Sequence, residues 1–283
     1  MINLAVIGAG AMGHQIAMLA ALGGYSTTLH DVKEDSLENA SEKLNKIMDK
    51  WVKKSKVTEA ERTEAFERLS FTTTLEEAAR EADFIIEAVT ERLEVKREVF
   101  TKLDQIAPPH TVLATNSSTI VSSLLADATR RPKQVCNMHF FFPPLVMDCV
   151  EIVKGEHTSE ETVQKSIEVC ERMKRTAVLL KKEVSGFVAN RLLLALQKEA
   201  MHLYEEGYAD FQDIDKIARK ALNHPIGPFE LMDLSGIDVG YYVMQQQYEE
   251  SGNPQDQPSE TLLNKMKAGE LGRKTGRGFY SYH

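Results

Sequence analysis

The chain has 283 residues, of which 42% are apolar and 27% charged, and a formal net charge of −8. This composition is ordinary for a globular protein of one large or two smaller domains, and the acidic balance argues against a nucleic-acid partner. No apolar run is long enough to cross a bilayer, so no membrane partner is expected, and the chain enters a strand-like run at once, so no targeting segment is expected. Cys136, Cys149 and Cys170 form no CxxC pair. They read as buried residues of a reducing compartment, the cytoplasm, and not as disulfides or metal ligands.

In chain order, the first element is the apolar run Asn3–Ile7. It leads into Val6-Ile7-Gly8-Ala9-Gly10-Ala11-Met12-Gly13, and Asp31 follows 18 positions after the last glycine. This is the dinucleotide fingerprint in its expected setting, after one strand and before a helix. Gly8 permits the tight turn, Gly10 lets backbone approach a pyrophosphate, and Gly13 lets the helix pack on the strand. The N–H groups of Ala11, Met12 and Gly13 at the helix start face the phosphates. Asp31 ends a second strand at 27–30, and its carboxylate suits a ribose diol and repels a 2′-phosphate, which favours NAD over NADP.

Further strand-like runs lie at 84–89, Val112–Thr115, 135–139, 150–153 and 177–180, with helical patterns between them, for example at 94–106 and 160–173. Several runs are continuously apolar, as in a parallel sheet covered on both faces. The plan is α/β, a Rossmann-type doubly wound sheet over residues 1–185. The stretch 36–68 is too long for a simple crossover and reads as a helical hairpin projecting from the sheet. It carries Lys43, Lys46, Lys50, Lys53, Lys54 and Lys56. From 186 to 283 the pattern is all-α, with helices at 187–206, 211–221, 228–234, 238–250 and 259–268. That unit is small for a self-sufficient core, so a homodimer through it is expected.

Three constellations carry chemistry. His139 ends a predicted strand, where open α/β sheets bind ligands, and it can exchange a proton near neutrality. Glu151, twelve residues on, lies in an apolar run and needs a partner. His139 can be that partner, with Glu151 fixing its tautomer, or each can be satisfied elsewhere. Asn116-Ser117-Ser118-Thr119 follows another strand and offers an amide and hydroxyls at the same sheet end, either facing substrate or capping a helix. Asn190 is a polar residue near the domain junction, where pockets tend to form, although a plain junction hydrogen bond would explain it equally.

These motifs resemble the L-3-hydroxyacyl-CoA dehydrogenase family, and most of all its short bacterial members. The resemblance covers essentially the whole chain. It is carried by the glycine loop, Glu87-Ala88-Val89-Thr90-Glu91, Asn116-Ser117-Ser118, His139-Phe140-Phe141, Val150-Glu151-Ile152-Val153 and Gly186-Phe187-Val188-Ala189-Asn190-Arg191-Leu192. It continues through His224-Pro225-Ile226-Gly227-Pro228-Phe229-Glu230 and Gly272-Arg273-Lys274-Thr275-Gly276. The resemblance implies NAD-dependent oxidation of a short 3-hydroxyacyl-CoA such as 3-hydroxybutyryl-CoA. It implies His139 as acid/base, Glu151 orienting it, Ser118 on the C3 oxygen, and Asn190 on the acyl group. It further implies Asp31 on the adenine ribose, with Glu91, Lys96, Asn116 and Lys274 along the cofactor. Lys50 and Lys54 are candidates for the coenzyme A phosphates, although a solvated helix face explains any single lysine as well. One departure stands out: the family usually has asparagine, a cofactor contact, where this chain has Phe142. A sugar-acid dehydrogenase without CoA, or an NAD-binding protein impaired at Phe142, are the alternative readings.

Overall fold

The structure is a computed structural model that describes residues 2–282. Contacts divide it into two units, one ending at Phe187 and the other starting at Val188.

The first unit follows the chain as β1 (Asn3–Ile7), α1 (Gly13–Leu22), β2 (Ser26–His30), α2 (Glu34–Lys53), α3 (Glu59–Glu67), β3 (Leu69–Thr72), α4 (Leu75–Ala79) and β4 (Phe84–Glu87). It continues with α5 (Leu93–Ile106), β5 (Val112–Thr115), α6 (Ser123–Ala126), β6 (Val135–Phe140), β7 (Cys149–Val153), α7 (Glu160–Arg172) and β8 (Thr176–Leu180). The strands form one sheet in the order β3-β2-β1-β4-β5-β6-β7-β8. Every pair is parallel except β6–β7. Alternate residues of β1 serve opposite faces. Leu4 and Val6 enter one apolar cluster, and Ala5 and Ile7 the other, so both faces are covered as the apolar runs require.

Three elements differ from the sequence expectation. The lysine-rich insertion is two helices packed on α1 and does not project. Leu37, Ala40, Leu44 and Met48 form a buried stripe along α2, and Ala65 of α3 joins the same cluster. β3, a short edge strand directly after the insertion, is an additional element. β8 is an edge strand with Val178 and Leu179 exposed, so it lacks the two-sided cover expected of the runs before it.

The second unit is α8 (Ala189–Glu205), α9 (Phe211–Lys220), α10 (Pro228–Ser235), α11 (Ile237–Ser251) and α12 (Glu260–Lys267). Its core centres on Phe211, Phe229, Phe279 and Tyr204, with Phe229 and Phe279 stacked edge-on at 4.7 Å. The C-terminal segment adds only isolated bridges, Gly272 to Arg277 and Arg277 to Ser281. Among the described residues no helix is long and apolar enough to cross a membrane.

Candidate active site

The three glycines have distinct geometric roles. Gly8 has φ +108°, and a Cβ there would lie 2.6 Å from the Ala88 carbonyl oxygen. A Cβ on Gly13 would lie 1.7 Å from the Gly8 carbonyl oxygen, whereas one on Gly10 meets nothing within 4 Å. Fold therefore demands glycine at 8 and 13, while the open side of Gly10 leaves a cradle for another molecule. Gly8 N donates to the His30 carbonyl and Ala9 N to Asp31, and the next N–H groups to find acceptors are those of His14, on Gly10, and Gln15, on Met12. The N–H groups between Ala9 and His14 are the free donors of a helix start, which favour an anion. Asp31 closes the loop: its Oδ2 accepts from Ala9 N at 2.9 Å and its Oδ1 from Lys33 N at 3.0 Å. A glycine cradle with unpaired donors and a carboxylate at the end of β2 suits a dinucleotide with a free ribose diol.

His139 and Glu151 are direct cross-strand partners in the antiparallel β6–β7 pair. Both are buried, and His139 Nδ1 lies 2.9 Å from Glu151 Oε2. An ionised carboxylate can only accept, so Nδ1–H donates and Nε2 is left as the acceptor. Two aromatic rings hold the imidazole. Phe141 lies 4.6 Å away by ring centroid and Phe187 5.3 Å, both tilted. Phe187 is fully buried at φ +50°, a left-handed conformation that costs a non-glycine residue about 1–2 kcal/mol.

The turn after β5 stands next to this pair. Asn116 Oδ1 accepts from Phe140 N at 3.0 Å, tying β5 to β6. The Ser117–Thr119 hydroxyls do not cap a helix, since α6 begins only at Ser123. Instead the Ser117 and Thr119 hydroxyls, with the Ser118 and Thr119 N–H groups, converge on Glu91. Its Oε1 accepts from the Ser117 hydroxyl, from Ser118 N at 3.0 Å, and from Thr119 N and Oγ1 at 3.2 and 3.0 Å. Burial opposes ionisation of Glu91, but the Lys96 ammonium and the Ser117 hydroxyl outweigh it and hold the carboxyl below its ordinary range.

Lys96 is 1% exposed, with Nζ 2.8 Å from Glu87 and 3.2 Å from Glu91. It is thus an interior residue paired with two carboxylates. Phe142, in contrast, is 64% exposed. Lys50 and Lys54 lie on the exposed side of the last turn of α2 and just beyond it. Asn190 and Lys274 belong to the second unit. Asn190 is half-buried in the first turn of α8, and Lys274 pairs with Asp238 at 2.6 Å.

Sequence reasoning missed Glu87, His14 and Phe187. Glu87 left a signal, a carboxylate ending an all-buried strand with a lysine nine residues later. His14 Nδ1 lies 2.6 Å from the Gly10 carbonyl oxygen, and burial holds its imidazole below the ordinary range, so it is a neutral donor to the loop. Nothing in composition marks the left-handed backbone that brings Phe187 to His139.

A glycine cradle with a carboxylate at one strand end, and a buried His–Glu pair at another, are the features of an NAD-dependent dehydrogenase. Residues 3–184 match the model of the 3-hydroxyacyl-CoA dehydrogenase NAD binding domain, and residues 186–282 match that family's C-terminal domain. The chain belongs to the 3-hydroxyacyl-CoA dehydrogenase family. A Bacillus subtilis protein named probable 3-hydroxybutyryl-CoA dehydrogenase is 40% identical over 280 residues, spanning 99% of this chain and 97% of that protein. A Mycobacterium tuberculosis 3-hydroxybutyryl-CoA dehydrogenase is 36% identical over 281 residues, spanning 99% and 98%. The crystal structure of (S)-3-hydroxybutyryl-CoA dehydrogenase from Ralstonia eutropha superposes with a TM-score of 0.93 at 33% identity, covering 99% of both chains.

Proposed function

We propose that the chain interconverts L-3-hydroxyacyl-CoA and 3-ketoacyl-CoA with NAD, acting on short chains such as 3-hydroxybutyryl-CoA. The observation that carries this reading is the buried His139–Glu151 pair beside the Asn116–Ser118 turn. Bound NAD supplies the acceptor for the hydride leaving C3. In oxidation His139 Nε2 takes the proton of the 3-hydroxyl, and in reduction it returns that proton to the oxygen. Glu151 holds the tautomer and stabilises the imidazolium, as its hydrogen bond to Nδ1 supports. The Ser118 hydroxyl holds the C3 oxygen, and the fixed backbone of its turn orients it. Glu91 reaches the cofactor side while it anchors that turn, and Lys96 acts through Glu91. Asn190 holds the acyl group, Lys274 adds a cofactor contact, and Lys50 and Lys54 receive the coenzyme A phosphates. The domain boundary falls near residue 185, and the helical unit carries homodimer contacts. A cytoplasmic location is consistent with the unpaired cysteines.

The test is the initial rate of NADH oxidation with acetoacetyl-CoA, compared with NADPH and with free acetoacetate. The reading expects turnover that needs both NADH and the thioester. Equal rates with the free acid would favour a dehydrogenase that does not use CoA.

A further inference from the structure

The carboxylate of Glu87 is fully buried at the end of β4, and two of its partners, Thr115 and Lys96, lead toward the Ser117–Thr119 turn. Oε1 accepts from Val89 N at 2.7 Å and from Lys96 Nζ at 2.8 Å. Oε2 accepts from Thr115 Oγ1 at 2.6 Å and from Lys96 Nζ at 3.1 Å. Thr115 is the last residue of β5, directly before the Asn116–Thr119 turn, and Thr115 Oγ1 in turn accepts from Ser117 N at 3.1 Å. Lys96 passes to Glu91 Oε2, and Glu91 Oε1 holds that same turn by four donors. Glu87 therefore reaches the Ser118 turn by two routes, through Thr115 and through Lys96–Glu91.

We propose that Glu87 is a positioning residue that fixes both supports of the Ser117–Thr119 turn and so the direction of the Ser118 hydroxyl. The proposal rests on the reading of Ser118 as the group that holds the substrate oxygen. The physical reason is that a buried ammonium needs compensation in place. With Glu87 present, Lys96 is held from below and offers Glu91 one geometry. With a neutral amide at position 87, Lys96 turns toward Glu91, its remaining carboxylate, and draws it off the turn. Thr115 Oγ1 loses its charged acceptor at the same time.

The test is a double-mutant cycle with Glu87→Gln and Ser118→Ala, read by kcat for acetoacetyl-CoA reduction and by NADH Kd from fluorescence. Glu87→Gln should lower kcat about ten- to a hundredfold, the scale of a misplaced contact, and should weaken NADH binding by less than it lowers kcat, since Glu91 also reaches the cofactor side. If the two residues act as one unit, adding Glu87→Gln to Ser118→Ala lowers kcat little further. Additive losses, or a loss confined to NADH affinity, would overturn the proposal. Lost activity in Ser118→Ala with full activity in Glu87→Gln would overturn the proposal alone. Full activity in Ser118→Ala would overturn the reading of the site and the proposal with it. Should Glu87→Gln not fold, Thr115→Val removes one of the two routes at constant shape. It should give the same pattern with a smaller loss, and additivity there would count equally against the proposal.

Discussion

At the scale of single residues the site is held by charges that each have an assigned partner, all of them buried except the part-exposed Glu91. Glu151 faces His139, and Lys96 lies between Glu87 and Glu91. Such arrangements make stability depend on pH in a defined direction. The folded Glu91 carboxyl lies below its ordinary value of 4.5, despite burial, because of Lys96 and its hydrogen bonds. Its contribution is therefore complete above that value and is lost as pH falls below it toward the folded value. Urea unfolding followed from pH 6 downward should show wild type losing stability below about pH 4.5 more steeply than Glu91→Gln. Parallel curves would mean that the Lys96–Glu91 contact contributes nothing. Two of the residues central to this arrangement were legible in sequence by different signals. His139 ends an apolar strand, whereas Glu91 stands out only through family resemblance. Glu87 had its signal in the apolar strand it ends, but its partners come from β5 and α5, and a linear pattern does not state which elements meet.

At the scale of elements the glycine loop separates fold from function. Gly13 and Gly10 are three residues apart in one motif, yet a Cβ at 13 collides with backbone while a Cβ at 10 meets nothing. Gly13→Ala should therefore destabilise the first unit by several kcal/mol, on the scale of overpacking a close contact. Gly10→Ala should keep the wild-type melting temperature and weaken NADH binding. Calorimetry and NADH titration on the two variants check this. A destabilised Gly10→Ala, or unaltered NADH affinity in it, would contradict the division of roles.

The strands were readable where apolar runs are continuous, as at β1, β4 and β5. The edges were less so. β3 is only Leu-Ser-Phe-Thr, with its polar residues partly or fully exposed and one neighbour, β2. Its weak pattern is hidden behind the helical insertion. The packing of that insertion on α1 was written in Leu37, Ala40, Leu44 and Met48, but the lysines between them dominate the composition. Asn116 and its neighbours read equally as a helix cap or a substrate-facing turn because a cap and a carboxylate-anchored turn use the same residue types.

At the scale of the whole molecule, each unit has its own closure. In the second, the C-terminal segment is latched by two aspartates. Asp233 accepts from Phe279 N, Tyr280 N and the Tyr282 hydroxyl at 2.8–2.9 Å. Asp215 accepts from Phe229 N, Glu230 N and the Tyr280 hydroxyl at 2.8–3.0 Å. Burial and the Asp233 carboxylate push the Tyr282 hydroxyl up to about 12. Asp233→Ala removes three bonds to a charged acceptor and should cost at least about 3 kcal/mol in urea unfolding. A loss below about 1 kcal/mol would mean that the segment is held by Phe279 packing alone. The all-α character of this unit was plain from helical periodicity. Its aspartate latches were not, because they join residues 14 to 65 positions apart.

In the proposed reaction His139 is the group that moves the proton, held near the end of β6 by Glu151 of β7. The most direct measurement is kcat for acetoacetyl-CoA reduction by NADH in wild type and in His139→Ala, with NADH Kd determined on both. The expected loss is about 10²–10⁴ in kcat with NADH affinity retained, the contribution of one positioned acid/base. Wild-type turnover in His139→Ala would contradict it.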